Sequence, residues 1–296
     1  MYTIKEISLL TDFGFKQIFG TKPNRDLLIS FLIDGEQVIR YVKYLNSEHV
    51  GDVFAERKAI FDVYCENEHG EKFIVEMQNA FQTYFKDRSL YYSTFPIREQ
   101  APKGTDWNFR LEHVYVVALL NFEMNEESFC AKDINHDIGL LDKKTHRVFN
   151  DKLTFKYVEI AKFDKEIDQL ETVYDKWLYV LKNLSRLDRQ PKHLQSEVFN
   201  RLFAEAEMAK FTKQELKEYE DSLKAYRDIK NSLDTAKEEG REEGLAEGMA
   251  KGIEKGMAEG ERNKTLEIAK AMKSKGFSAD DIAQITGLAA KDIENL

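Results

Sequence analysis

Residues 59–81, AIFDVYCENEHGEKFIVEMQNAF, constrain the fold more than any other stretch of this chain. Two runs rich in Val, Ile, Phe and Tyr flank a polar stretch containing Gly70, the pattern of two strands joined by a turn. Strand side chains alternate between faces, so parity sorts them. Phe61, Val63 and Cys65, with Phe73, Val75 and Met77, form one continuous apolar face. Ile60, Asp62 and Tyr64, with Ile74, Glu76 and Gln78, form the other. With a turn over residues 67–71, the register sets Asp62 opposite Glu76 and puts Gln78 two residues along the same face. A slip by one residue would carry charge into the apolar face, so the pattern itself specifies the register.

Two facing carboxylates repel each other and are costly to desolvate unless a cation lies between them. A hard cation such as Mg²⁺ takes oxygen ligands and keeps several waters, so one or two carboxylates plus a substrate phosphate suffice. Such an ion polarises a phosphoryl oxygen and acidifies a bound water, the two requirements for hydrolysing a phosphodiester. The competing reading is an exposed sheet face whose acids merely meet water. Tyr64 and Ile74 on that same face argue against it, because they require cover from a helix.

Elsewhere, residues 24–35 read as a helix stopped by Gly35 and residues 85–101 as a helix interrupted near Pro96. Residues 111–122 contain VYVVALL, short and bounded by polar residues, which predicts a buried strand. Two weaker strands are expected around residues 147–160. From Lys165 the periodicity is helical to the end, with residues 170–184 amphipathic.

The order Asp, hairpin turn, Glu-x-Gln resembles the PD-(D/E)XK nuclease superfamily. More narrowly, the chain resembles the Rpn family of recombination-promoting nucleases, a group labelled as transposases. The matching pieces are TDFGFKQIFG (residues 11–20), NRDLLISFLIDG, IFDVYCENEHGEKFIVEMQ, DRSLYYS (residues 87–93) and YVEIAKFDK (residues 157–165). They follow one another in the expected order over about the first 230 residues. The resemblance implies an α/β fold with a restriction-endonuclease-like core and a mixed central sheet. It also implies a Mg²⁺-dependent DNA endonuclease acting in recombination or mobile-element biology.

On that resemblance Asp62 and Glu76 are the metal ligands, and the backbone carbonyl of Met77 completes the shell. Gln78 stands where the superfamily usually carries lysine, and a glutamine supplies no positive charge to a developing oxyanion. Lys16 is the candidate replacement, with Asp12 as an accessory acid. The alternative for DFGFK is a helix start with Asp12 as N-cap, Phe15 and Phe19 inward and Lys16 solvated. Arg88 and Tyr92, four apart on a helix, are candidates for holding a DNA phosphate. A surface salt bridge and a core tyrosine are the alternative. The six histidines show no metal-ligand spacing and read as scattered surface residues.

The last part of the chain changes character. All four prolines precede residue 192, whereas eight of the fifteen glycines lie from Gly240 onward. Glycine recurs at 240, 244, 248, 252, 256 and 260, and Leu245, Met249, Ile253 and Met257 each follow one. Six helical glycines cost on the order of 5 kcal/mol relative to alanine, so a lone helix gains nothing from them. A stripe of small residues beside an apolar ridge predicts close approach of a second helix, hence a homodimer. A flexible linker is the alternative, against which the Ala, Glu, Lys and Met between the glycines argue. Beyond it, Gly276, the pair Ser278 and Asp281, and Gly287 punctuate two short helices resembling a helix-turn-helix. Only Lys291 in LAAKDIENL could reach a base edge, so packing or dimerisation is favoured there over DNA reading. The expected organisation is a nuclease domain over residues 1–230, a glycine-periodic helix over 231–262 and a small helical module over 263–296.

The net charge of -9 argues against a protein that coats DNA by bulk electrostatics. Residues 234–262 hold nine acidic and five basic side chains, net -4, and residues 263–296 balance at five each. The first 233 residues therefore carry -9 + 4 = -5. No apolar run approaches the roughly 20 residues that span a bilayer. Two cysteines, Cys65 and Cys130, and a start without a signal-peptide pattern suit the cytoplasm. Two other readings stand beside the nuclease: an inactive interaction protein on the same fold, and a DNA-binding regulator acting through the C-terminal helices.

Overall fold

A computed structural model describes residues 6–32, 39–49, 59–101, 108–124, 129 and 132–295. Gly35 and Cys130 lie outside the described residues. The chain divides into two compact units, Met1–Asn231 and Ser232–Leu296.

The first unit opens with α1 (Asp12–Phe19) and α2 (Arg25–Leu32), followed by β1 (Val42–Tyr44), β2 (Glu48–His49), β3 (Ala59–Ile60), β4 (Val63–Asn67) and β5 (Lys72–Gln78). Then come α3 (Phe85–Glu99), β6 (Val114–Leu120), β7 (Asn135–Leu141), β8 (Val148–Glu159), α4 (Val173–Asn183) and α5 (Glu197–Ala206). Among the described residues six strands form one mixed sheet in the order β1-β4-β5-β6-β8-β7. The β5–β6 and β6–β8 pairs are parallel and the others antiparallel. Both faces are covered, which explains why β6 is buried along its whole length.

One core holds Val63, Cys65, Phe73, Val75 and Met77 against α1, α2, α4 and α5, with Trp177 fully buried at its centre. The second core holds Tyr64, Ile74, Val116 and Tyr157 under Phe85 and Phe95 of α3. The helix that Tyr64 and Ile74 required is therefore α3, and the Tyr64 hydroxyl donates to Glu99 at 2.6 Å. The predicted hairpin register is observed: Val63 pairs with Val75, Tyr64 with Ile74 and Cys65 with Phe73. The chain turns at Gly70 with φ of 80°, the left-handed region that glycine enters without a Cβ clash.

Three local expectations need correction. Phe61 does not share the face of Val63. It joins the α3-side core, packing edge-on against Tyr64 and Tyr92, because the strand breaks at Phe61–Asp62 and parity is lost there. Pro96 does not interrupt α3, which runs on to Glu99. The hydroxyls of Ser93 and Thr94 donate back to the carbonyls of Leu90 and Tyr91 in the turn before the proline. The two strands expected around residues 147–160 are a single strand, β8, whose partner β7 precedes it across a turn held by three donors to Asp142 Oδ1.

The helix α6 (Lys213–Ser274) begins in the first unit. There the Tyr219 hydroxyl accepts from Ser8 N–H at 3.0 Å, Ser222 Oγ accepts from Phe13 N–H at 3.0 Å, and Tyr226 accepts from Asn121. In the second unit α6 carries all six periodic glycines, so that segment is helix and not linker. A Cβ built on any of the six meets nothing within 4 Å, and Leu245, Met249, Ile253 and Met257 are exposed. The chain ends in α7 (Ala279–Thr286) and α8 (Ala290–Glu294), whose Ile282 and Ile293 bury against Ala269. Ser278 caps α7 by accepting from Asp281 N–H, and Gly287 ends it, as the punctuation predicts. No helix among the described residues is long and apolar enough to cross a membrane.

Candidate active site

The site forms where the β4–β5 ladder opens. Antiparallel pairing stops at Val63, and the next residue back, Asp62, lies in a bend. Phe61 N–H has turned away to donate to Ser47 O at 3.0 Å, leaving the end of β5 without its backbone neighbour. The two acids fill the opening. Asp62 N–H donates to Glu76 Oε1 at 3.3 Å, and Met77 N–H donates to Asp62 Oδ2 at 2.9 Å. Each carboxylate thus stands in for a missing strand carbonyl. A residue's N–H and C=O leave a strand on the same edge, so the Met77 carbonyl faces the same opening.

Glu76 is 7% exposed, and the Asp62 side chain 18%. Burial, then the charge of Asp62, pushes the Glu76 carboxyl up to about 8. Burial also raises Asp62, against the opposing pull of the Met77 amide and Lys16. The pair is therefore held close at an electrostatic cost that a cation would relieve.

Lys16 reaches the site from α1, with its Nζ 2.7 Å from Asp12 Oδ1 and 3.4 Å from Asp62 Oδ1. Burial works against its charge, and hydrogen bonding to Asp12 with the nearby Asp62 outweighs it, so its pKa rises. The helix-start alternative is right about Phe15 and Phe19, which are fully buried, and wrong about the cap. Thr11, not Asp12, caps α1 by accepting from Gly14 N–H at 3.0 Å. Gly14 is glycine for space: a Cβ there would sit 2.0 Å from the Ser8 carbonyl oxygen.

Gln78 bridges the acids to α3. Its Nε2 donates to Glu76 Oε2 at 3.2 Å, while its Oε1 accepts from Arg88 Nη2 at 2.6 Å. Arg88 also donates through Nη1 to Gln82 Oε1 at 2.5 Å, and its guanidinium lies 5.8 Å from the Tyr92 ring centre. Tyr92 is half core, edge-on to Phe61 at 5.2 Å, and near enough to Glu76 for that charge to help raise its pKa after burial. Gln82 escaped the sequence reading because it lies on the connection after β5, where no periodicity places a side chain.

Asp62, Glu76, Gln78, Lys16, Asp12, Arg88 and Tyr92 are thus brought to one place by α1, the hairpin and α3. Residues 9–236, which contain all of these side chains, match the family described as PD-(D/E)XK nuclease family transposase. The chain belongs to that family. The match spans the hairpin, α3 and every strand of the described sheet. No curated protein matches the chain. No solved structure matches it either.

Among the described residues no group of three or more His, Cys, Asp or Glu side chains is placed to hold a metal ion together. Two carboxylates and a strand carbonyl are the oxygen donors here, a set that suits a hard cation keeping part of its water shell, while Gln78 turns its amide N–H toward Glu76 and its oxygen to Arg88. Two histidines depart from the surface reading. His136 is bonded at 2.7 Å to the fully buried Glu159, which also accepts from Lys162 and from Met124 N–H. His113 stacks on Tyr115 at 3.9 Å.

Proposed function

We propose that this chain is a divalent-cation-dependent DNA endonuclease whose site is Asp62, Glu76, Gln78 and Lys16. The observation that carries the reading is the reciprocal bonding of Asp62 and Glu76 across an opened ladder, with both carboxyl groups raised by burial. Burying two acids together has a large electrostatic cost, and a hard cation turns it into binding affinity. Asp62 and Glu76 would hold Mg²⁺, with the Met77 carbonyl as third oxygen. Bound there, Mg²⁺ supplies charge to a phosphoryl oxygen and a more acidic water.

The chain's own groups then have separate tasks. Asp62 and Glu76 fix position through backbone hydrogen bonds that set their geometry beforehand. Lys16 brings positive charge to the edge where the superfamily places it by a strand lysine, and Asp12 orients its ammonium. Gln78, its carbonyl turned to Arg88, presents amide hydrogens toward Glu76. Arg88 and Tyr92 provide a cation and a hydroxyl for the phosphate backbone. DNA is the proposed partner, and the periodic glycines with Leu245, Met249, Ile253 and Met257 support a homodimer through the helical tail in the cytoplasm. The proposed domains are residues 1–230, 231–262 and 263–296.

Plasmid nicking with Mg²⁺ tests the reading, comparing wild type with Asp62→Ala and Glu76→Ala. Loss of a charge-stabilising group in a site of this kind costs about 10²-fold or more in rate. Equal nicking by all three proteins would remove the site.

A further inference from the structure

The segment joining β5 to α3 carries aromatic rings that neither core absorbs. Phe81, three residues beyond Gln78, is 48% exposed, and Tyr84, just before α3, is 75% exposed. Phe81 is braced despite its exposure. Phe122, just beyond β6, meets it edge-on at 5.8 Å and meets the buried Phe85 at 6.5 Å, both near right angles. The residue before the brace is fixed as well: Asn121 N–H donates to the Gln78 carbonyl at 2.8 Å, and Asn121 Nδ2 donates to Asn79 Oδ1 at 3.2 Å. Between the two exposed rings lies Gln82, tied through Arg88 to Gln78 and so to the acids. The rings thus stand at the carboxyl ends of parallel strands, where α/β sheets receive ligands.

Large apolar groups exposed to water beside a polar site, one of them braced by Phe122, mark a binding surface. Its occupant follows from chemistry. Residues 79–84, NAFQTY, contain no Lys or Arg, and the whole chain is at -9, so this segment does not engage DNA by neutralising phosphates. Aromatic rings recognise nucleic acid by stacking on bases, and a continuous duplex keeps its base faces inside.

We propose that residues 79–84, with Phe122 as brace, form a stacking platform for unpaired nucleobases beside Asp62 and Glu76. The favoured substrate class is therefore DNA with single-stranded character, such as a flap, gap or frayed end. The choice of DNA as ligand rests on the nuclease reading, while stacking is measured here as binding, apart from cleavage.

The test uses the full chain in chelator, where no metal-dependent cleavage proceeds, and fluorescence anisotropy with a labelled thymine oligonucleotide, its abasic counterpart and a blunt duplex of equal length. The single strand is expected to bind about 10-fold or more tighter than the duplex. Phe81→Ala and Tyr84→Ala are each expected to weaken single-strand binding by roughly 5- to 100-fold, and Tyr84→Trp to retain it. The abasic strand, with its phosphates intact, is expected to bind as weakly to wild type as the single strand binds to the alanine variants. Both positions are exposed, so unchanged melting temperatures confirm that the variants fold. Equal affinity of wild type for single strand and duplex, or alanine variants that bind like wild type, overturns the platform, as does absence of binding to either DNA. A protein that prefers single strands yet, with Mg²⁺, cleaves neither plasmid nor flapped or gapped DNA retains the platform and loses the nuclease reading.

Discussion

Replacing Glu76 by glutamine is expected to stabilise the metal-free protein at alkaline pH more than at acidic pH. In the folded chain this carboxyl is pushed from 4.5 up to about 8 by burial and by Asp62. A raised acid holds its proton more tightly in the fold, so its contribution to stability is complete below about 4.5 and is lost as pH climbs through about 8. The full shift corresponds to ~5 kcal/mol, and because Asp62 shares the strain, a relative gain of about 2–4 kcal/mol is expected from removing the charge. For a domain of this size that is roughly 5–15 °C in melting temperature. The amide keeps an acceptor for Asp62 N–H and turns its own NH2 toward Gln78 Nε2. That second contact costs about 1 kcal/mol at every pH. The pH difference is therefore the readout. Thermal unfolding in chelator at about pH 5 and about pH 9 measures it. A melting shift of equal size and sign at both pH values would refute the argument that Glu76 is held strained in the fold. Adding Mg²⁺ at the higher pH is expected to raise the melting temperature of wild type and much less that of the variant, since a ligand stabilises only the state that binds it.

Three further outcomes follow from other parts of the molecule. Gly14→Ala places a Cβ against the Ser8 carbonyl and is expected to destabilise the protein by about 2–4 kcal/mol in urea unfolding; a variant as stable as wild type would contradict the packing of α1. Arg88→Ala releases the Gln78 amide and is expected to lower nicking by about 10- to 100-fold at unchanged melting temperature. Activity equal to wild type would leave Arg88 without a role. Deleting residues 239–262 removes all six periodic glycines, and light scattering is expected to report the monomer mass; an unchanged mass would end the tail's part in assembly.

Much of this was legible from parity alone. Alternation fixed the hairpin register because one face could not tolerate charge, and it flagged Tyr64 and Ile74 as residues needing a helix above them. The same logic failed at Phe61, where the strand breaks and the side chain crosses to the other core, because a bend leaves no mark on an alternating pattern. It failed at β7 as well, whose exposed residues carry too little apolar contrast to announce a strand. Glu76 and Gln78 could be placed on one face from sequence, whereas Asp62 reaches them from a bend outside the ladder. The route from Gln78 through Arg88 to Gln82 could not, because it joins a strand, a helix and the connection between them. Lys16 meets Asp62 across about 46 positions of chain, and only the fold reveals that contact. The tail was readable through its glycine period, although periodicity predicts a helix surface and not what lies on it.

The acids do more than gather charge, because each closes a gap in the backbone ladder. Met77 N–H and Asp62 N–H take side-chain oxygens as their acceptors at this end of the hairpin. A descendant that had abandoned the reaction would still be selected to keep an oxygen at both positions, drifting toward asparagine and glutamine before any apolar residue. Retention of these two side chains across a lineage would therefore record the architecture of the hairpin at least as faithfully as it records an active enzyme.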